Sequence, residues 1–282
     1  MFDPVIWNLW HVVGVASDLP PGGRVTTTLL GSTLNLERAS DGSLSAKDGN
    51  HQKRPLIEAY SFLWSSLGDP AEPLFPIPEY DESDRANVVT GSVAVRTSAP
   101  RVIENFLDMG HFPFVHTGWL GAEPHTEVKD YTVVIDDELD EVRATECEFY
   151  QPKAAAASDS GFNTQYIYRV PHPYCSVLYK SCPFDPKRMD VIAMFVQPLA
   201  EEHIIAHTLM SIVDDQSSTT DIRHFQLTIF GQDKPILENQ LPKRLPLEPR
   251  AETPIRADKS SIFYRRWLRA KKVAYGVTQA PG

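Results

Sequence analysis

Glu104-Asn-Phe-Leu-Asp108-Met-Gly-His111-Phe-Pro-Phe-Val-His116-Thr-Gly118 is the stretch on which the reading of this chain turns. Asn105, Asp108 and His111 follow one another at intervals of three, so a helix would present them on one side. Pro113 stands between the two histidines and predicts a disturbance of the helix there, able to swing His116 towards His111. Two neutral imidazoles on adjoining turns supply two corners of an octahedral face. A carboxylate from elsewhere would complete a 2-His-1-carboxylate triad, a donor set suited to Fe(II) with positions left open. The same residues also fit two imidazoles packed in a core, each nitrogen satisfied by a hydrogen bond. Asn105 and Asp108 speak for the metal, because metal-bound imidazoles need an acceptor behind them to fix tautomer and orientation.

The pattern Asn105-x-x-Asp108-x-x-His111-x-x-x-x-His116 resembles the mononuclear-iron motif of the Rieske-type non-haem iron oxygenases. In that family both histidines bind iron, and the aspartate bridges the metal site towards a Rieske [2Fe–2S] centre. The flanking Phe-x-Phe-Val-His-Thr-Gly is similar to the branch that removes methyl groups from nitrogen and oxygen. A second match lies far downstream. Gln-Asp233-Lys-Pro-Ile-Leu-Glu-Asn-Gln resembles the segment that carries the family's third iron ligand. Without the resemblance, Asp233 before Lys and Pro would serve equally as a helix N-cap. If Asp233 faces a metal, helical spacing puts Phe230 and Gln226 on the same side, lining a pocket. An amide there would read a polar heteroaromatic ring while Phe230 packs on its face. Gln226 reads equally as a surface helix residue.

Composition sets the frame. The 282 residues are 42% hydrophobic and 23% charged, as in an ordinary soluble protein, and no apolar run is long enough to span a bilayer. Met1-Phe-Asp3 lacks the basic start of a signal peptide, so a cytoplasmic location is expected. A net charge of −10 argues against nucleic acid as partner. The three cysteines, Cys147, Cys175 and Cys182, fit a reducing compartment and form no Cys-x-x-Cys or Cys-x-x-His pair.

Taken in order, residues 1–68 predict β structure. Thr26–Leu30 and Thr33–Arg38 flank the hairpin signal Gly31-Ser32, Asp41-Gly42 marks another turn, and Ile57–Leu63 reads as one strand. Residues 69–87, rich in Pro, Asp and Glu, form a connecting segment. Residues 88–282 contain Val88–Arg96, the metal-motif helix, and six strand candidates between Val128 and Val213. A helix follows over Asp221–Asn239, bent at Gly231 and Pro235, and a C-terminal helix over Asp258–Tyr275. Ala154–Gly161 reads as a loop. His51 reads as an exposed loop residue, His172 as structural, and His203 and His207 as strand-surface residues. The basic side of the last helix, Arg265 included, reads as a solvated face.

The resemblance extends over this frame and implies an α+β fold. A helix-grip catalytic domain, an antiparallel sheet around a long helix with a C-terminal helix, would follow a Rieske-like β-domain over 1–68. That first domain is truncated. A Rieske cluster needs Cys-x-His and Cys-x-x-His pairs on two loops. Here Asp48-Gly-Asn-His51-Gln-Lys-Arg54 runs straight on, and no cysteine precedes Cys147. The closest branch is the Rieske-less component of bacterial methylxanthine N-demethylase complexes. It implies a mononuclear Fe(II) held by His111, His116 and Asp233, with Asp108 as the bridge and Asn105 in support. The Rieske cluster would come in trans from a reductase fed by NADH, and a glutathione-S-transferase-like protein would complete the hetero-oligomer. The expected chemistry is oxidative removal of a methyl group, from 7-methylxanthine, with O2. Two rivals stand beside it: a non-catalytic subunit or ligand-binding helix-grip module, and an iron oxygenase fed by a co-substrate.

Overall fold

The computed structural model describes residues 2–153, 161–213 and 216–278; the loop expected at Ala154–Gly161 lies almost wholly outside them. The chain opens with α1 (Pro4–Trp7), capped by the Asp3 carboxylate, and β1 (His11–Val15). Four strands follow, β2 (Arg24–Leu29), β3 (Ser32–Arg38), β4 (Leu44–Asp48) and β5 (Lys53–Arg54), in one sheet in that order. The β2–β3 turn is Leu30-Gly31, both with positive φ, as a tight hairpin requires. The single strand expected at Ile57–Leu63 is instead a hairpin of β6 (Leu56–Ala59) and β7 (Phe62–Ser65), and β1 joins β7 to make a three-stranded sheet. Its turn is Tyr60-Ser61, with φ of 55° and 67°, two residues that announce no left-handed turn in a sequence.

The larger sheet is antiparallel and seven-stranded. It comprises β8 (Ala86–Val95), β9 (Thr132–Asp136), β10 (Glu141–Gln151), β11 (Phe162–His172), β12 (Cys175–Ser181), β13 (Met189–Ala200) and β14 (His203–Ile212), in the order β8-β14-β13-β12-β11-β10-β9. Between β8 and β9 lie α2 (Ala99–Leu107) and α3 (Phe112–Val115). After β14 comes α4 (Thr219–Asn239), opened by a Ser218–Asp221 capping box. A short parallel pair, β15 (Leu245–Pro246) and β16 (Val277–Thr278), brackets α5 (Lys259–Ala270). The α+β architecture expected from the sequence is present.

Both faces of the large sheet are covered, which is why β12 and β13 read as nearly continuous apolar runs. Leu178, Ile192 and Met194 join the cluster that holds Ile103 of α2 and Phe230 and Leu237 of α4. Cys175, Val177, Val191, Ala193 and Phe195 point the other way and pack on Val12, Phe62 and Trp64 of the N-terminal strands. His207 belongs to this second seam. It is buried, not a strand-surface residue, although His203 four positions earlier is exposed. Its Nε2 donates to Gln197 Oε1 at 3.2 Å, its Nδ1 accepts from Ser92, and Gln197 in turn donates to Thr27 and Thr28 of β2. His172 is buried beside His11, ring centroids 5.1 Å apart, and takes the Tyr174 N–H on Nδ1. His51 is exposed, as expected.

These buried imidazoles make stability depend on pH. Burial lowers His207 to about 4; it lowers His11 to about 4 against the opposing hydrogen bond with Ile6 O, and it holds His172 well below 6.5. Between pH 6.5 and 4 the unfolded chain therefore binds more protons than the folded one. Stability is full above 6.5 and declines as pH falls towards 4, by on the order of 3 kcal/mol for a shift of His207's size. The urea midpoint should drop between pH 7 and 5, with a shallower slope in His207→Gln; a flat midpoint would contradict the assignment.

Candidate metal centre and its pocket

Asn105 lies in the last turn of α2, a helix that ends at Leu107. The break expected at Pro113 falls earlier. Asp108 is extended (φ −85°, ψ 123°) and its Oδ1 accepts the Gly110 N–H at 2.7 Å, an Asx-type turn that competes with helix. Asn105, Asp108 and His111 therefore do not share one helix. Pro113 sits instead in the first turn of α3, where its missing N–H costs nothing. His111 opens that short helix and His116 closes it. Gly121 presses on the segment from outside: a Cβ there would come 2.6 Å from Pro113 N and 2.8 Å from Phe112 C.

The third residue arrives on α4. The helix runs unbroken through Asp233 and Pro235, so Asp233 is no N-cap but an inward-facing, buried position. His111 Nε2 and His116 Nε2 are 3.1 Å apart, and Asp233 Oδ1 lies 3.4 Å from the first and 3.1 Å from the second. Asn105 Nδ2 reaches the same oxygen at 3.5 Å. Behind the imidazoles, His111 Nδ1 meets Asp108 Oδ2 at 2.9 Å and His116 Nδ1 meets Gln232 Oε1 at 2.8 Å. Both Nδ1 atoms face acceptors, so in the neutral tautomers the proton sits on Nδ1 and each Nε2 presents a lone pair. Two imidazole lone pairs and a carboxylate oxygen thus converge on one point.

Three acceptors so placed call for a cation. An octahedral ion with bonds of about 2.1 Å sets neighbouring donors about 3.0 Å apart, close to the separations found here. His111, His116 and Asp233 are also the one group of three such ligands with atoms all within 4.8 Å among the described residues. The local electrostatics agree. Burial disfavours charge on His111, yet hydrogen bonds to Asp108 and Asp233 outweigh it and push the imidazole up to about 9. Burial also opposes ionisation of Asp233, but hydrogen bonds from His111 and His116 hold it below the usual carboxylate range.

Two hollows meet at this triad. A narrow cavity of about 70 Å³ lies between α4 and the sheet, lined by Phe112, Tyr166, Tyr168, Gln226, Phe230 and Asp233 among others. Gln226 and Phe230, expected beside the metal, are both buried there. On the other side an open crevice of about 500 Å³ runs past Asp108, Glu104, Ile236, Arg265 and Arg269. Arg265 is not the solvated residue expected from its helix. It donates to Glu104 at 2.6 Å, and Arg101, fully buried, binds both Glu104 and Glu252.

Comparison with known proteins agrees with this geometry. Residues 95–274 match the vanillate O-demethylase oxygenase C-terminal domain. The chain is 47% identical over 271 residues to a probable methylxanthine N7-demethylase, NdmC, of Pseudomonas sp. (strain TJI-51), covering 96% of each chain. It belongs to the Rieske-type oxygenases. A methylxanthine N1-demethylase, NdmA, of Pseudomonas putida is 27% identical over 77% of this chain, and the match spans 60% of that relative's length. The structure of NdmA with caffeine superposes with a TM-score of 0.78 at 19% identity, over 95% of this chain and 92% of that one. This oxygenase, an enzyme of the demethylase branch with a His-His-Asp site, carries no Rieske ligand set: its three cysteines are free and buried.

Sequence reasoning missed Gln232, which adjoins Asp233 but lies about 100° round the helix from it, outside the face counted. It also missed Tyr166, Tyr168 and Lys180 on the cavity's sheet wall. Replacing Gln232 by Leu leaves His116 Nδ1 without its acceptor, and Fe(II) affinity should fall roughly 10- to 100-fold. Chelator competition on the purified chain measures it. Gln232→Glu should keep most of the affinity, and equal affinity in Gln232→Leu would exclude the role.

Proposed function

We propose that this oxygenase removes the N7 methyl group of a methylxanthine, 7-methylxanthine, as formaldehyde, using electrons from a Rieske cluster supplied in trans. The observation that carries the reading is the 47% identity, over nearly the whole of both chains, to a probable methylxanthine N7-demethylase. His111, His116 and Asp233 hold Fe(II), which when bound supplies the site for O2 activation. In the overall balance one oxygen atom of O2 enters a methyl C–H bond and the other leaves as water, with two electrons from NADH. The N-hydroxymethyl group then releases formaldehyde, and the ring nitrogen recovers its proton.

The remaining roles fall to the protein. Asp108 fixes the His111 tautomer from the crevice side and forms the bridge towards the donor, while Asn105 steadies Asp233. Gln226 binds a polar edge of the ring and Phe230 packs on its face. The crevice beside Asp108 is the docking place of the Rieske-bearing reductase. Exposed Ile236 on its wall and exposed Ile255, next to its lining residue Pro254, offer the apolar contact such a partner needs. Residues 1–68 are read as the base of a Rieske-like domain, 69–87 as the connection and 88–282 as the catalytic domain. A glutathione-S-transferase-like protein completes a cytoplasmic hetero-oligomer. No helix among the described residues is long and apolar enough to cross a membrane.

Bound iron and formaldehyde release decide the matter. Wild type should hold close to one iron per chain and release formaldehyde from 7-methylxanthine when the Rieske-bearing reductase and NADH are added. His111→Ala and Asp233→Ala should lose both. Full activity of the complex with these variants would make the chain a scaffold. Turnover without any Rieske protein would point to electrons from a co-substrate.

A further inference from the structure

The sheet wall of the narrow cavity is unexpectedly polar. Tyr166 and Tyr168 alternate with outward residues on β11, and Lys180 on β12 is the cross-strand partner of Tyr166. All three line the cavity and all three are buried. The hydroxyls of Tyr166 and Tyr168 are buried without a well-formed hydrogen bond to a described residue. Thr164, the polar neighbour of Tyr166, turns its own hydroxyl to Gln151 at 3.5 Å. Across the cavity, Gln226 lines the same space. A folded protein rarely leaves two hydroxyls like those of Tyr166 and Tyr168 together without a partner, because each costs free energy when buried unpaired.

Their position relative to the triad is informative. Gln226 lies two turns before Asp233, about 10 Å along α4. Lys180 pairs across strands with Asp190, whose carboxylate accepts the Val213 N–H just ahead of the approach to α4. Lys180 and Gln226 therefore belong to the end of the cavity nearer the start of α4, away from the metal ligands. When N7 of a purine points at the metal, its five-membered ring is at the metal end of the cavity. The six-membered ring, with two oxo groups and two ring nitrogens, extends away from it.

We infer that Lys180 and Tyr168, with Tyr166 beside them, form a hydrogen-bonding wall that reads the oxo groups and unmethylated ring N–H of the substrate's six-membered ring. This rests on the methylxanthine reading above. The ammonium donates to an oxo group, and the hydroxyls give or take a hydrogen bond as the ring edge requires. Burial draws Lys180 down to about 8 against the opposing charge of Asp190, as expected of an ammonium held in a largely apolar pocket. A methyl on N1 or N3 removes a donor and brings an apolar group against this wall. The wall therefore selects monomethylated over trimethylated xanthines, since a site built for hydrogen bonds discriminates strongly against an analogue that cannot make them.

The test is equilibrium binding of 7-methylxanthine and of 1,3,7-trimethylxanthine to the full chain by calorimetry, with melting curves of the ligand-free proteins. Lys180→Met should weaken 7-methylxanthine roughly 10- to 100-fold, and trimethylxanthine less, so that the preference shrinks. Tyr168→Phe guards against misfolding of the lysine variant. Loss of an unpaired hydroxyl should leave the melting temperature unchanged or higher, while affinity for 7-methylxanthine falls roughly 3- to 10-fold. A lower melting temperature with unchanged affinity would show a merely structural hydroxyl and overturn the inference. So would an unchanged preference in both variants. Failure of wild type to bind either xanthine would instead sink the methylxanthine reading, and this inference with it.

Discussion

Three lone pairs aimed at one point are an unstable arrangement unless something positive sits among them. His111 Nε2, His116 Nε2 and Asp233 Oδ1 approach to between 3.1 and 3.4 Å, and the fold around them reads as the means of holding them there. The Asx turn at Asp108 ends α2 and brings His111 back over its own C-terminus. Pro113 at the start of α3 and the close approach of Gly121 limit how far the second histidine can move. Gln232 and Asp233, adjacent on α4, divide the work: one orients His116 and the other joins the triad. Each imidazole thus has an acceptor behind it and the carboxylate in front. That arrangement favours a positive charge between the imidazoles and the carboxylate, and the acceptors behind the rings fix the orientation in which each Nε2 would meet a metal.

A second set of charges holds the first in place. Arg101, Glu104, Glu252 and Arg265 alternate in sign and join α2 to α5 and to the segment after α4. Burial alone would keep Glu104 protonated, and its carboxyl is indeed raised despite Arg265 and Arg101. Such a network adds little net stability, because desolvation offsets most of the attraction, but it admits few alternative registers. Here the register matters: a slip of α2 along α5 would carry Asn105 and Asp108 away from the triad.

The parts of this structure that were legible in the sequence are those fixed by local pattern. The strands from β8 to β14 followed from alternation and β-branched residues, whereas the grouping of His111, His116 and Asp233 was implied by the family resemblance of two motifs more than a hundred residues apart and left open by spacing alone. What escaped was decided by tertiary contact. The Asp108 turn exists because a side chain outcompetes the helix for the Gly110 N–H, and spacing at intervals of three could not show it. Tyr60-Ser61 adopts a left-handed turn that the β6–β7 pairing enforces on residues with no taste for it. Arg265 and His207 sit on an amphipathic helix and an edgeward strand position that both read as solvated. His207 is buried and Arg265 partly so, because Gln197 and Glu104 meet them across the fold. Lys180 could have been noticed: in Cys-Ser-Val-Leu-Tyr-Lys, alternation puts it on the face of Ser176 and Leu178, opposite to Val177 and Tyr179.

The two hollows give the triad a division of space that matches the chemistry proposed for it. Asn105 and His111 line both of them, so one residue of the triad stands in the partition. The open crevice, about 500 Å³, meets the triad through Asp108 and His111, a polar path bordered by Arg265, Arg266 and Arg269. The narrow cavity, about 70 Å³, meets it from the aromatic side. A reductant that docks in the crevice need not enter the cavity, where a substrate would lie against Phe112, Phe230 and the sheet. An oxygenase must spend its electrons on the bound substrate, not on solvent and free O2. A partition that holds a residue of the triad, His111, is a direct structural way to couple the two.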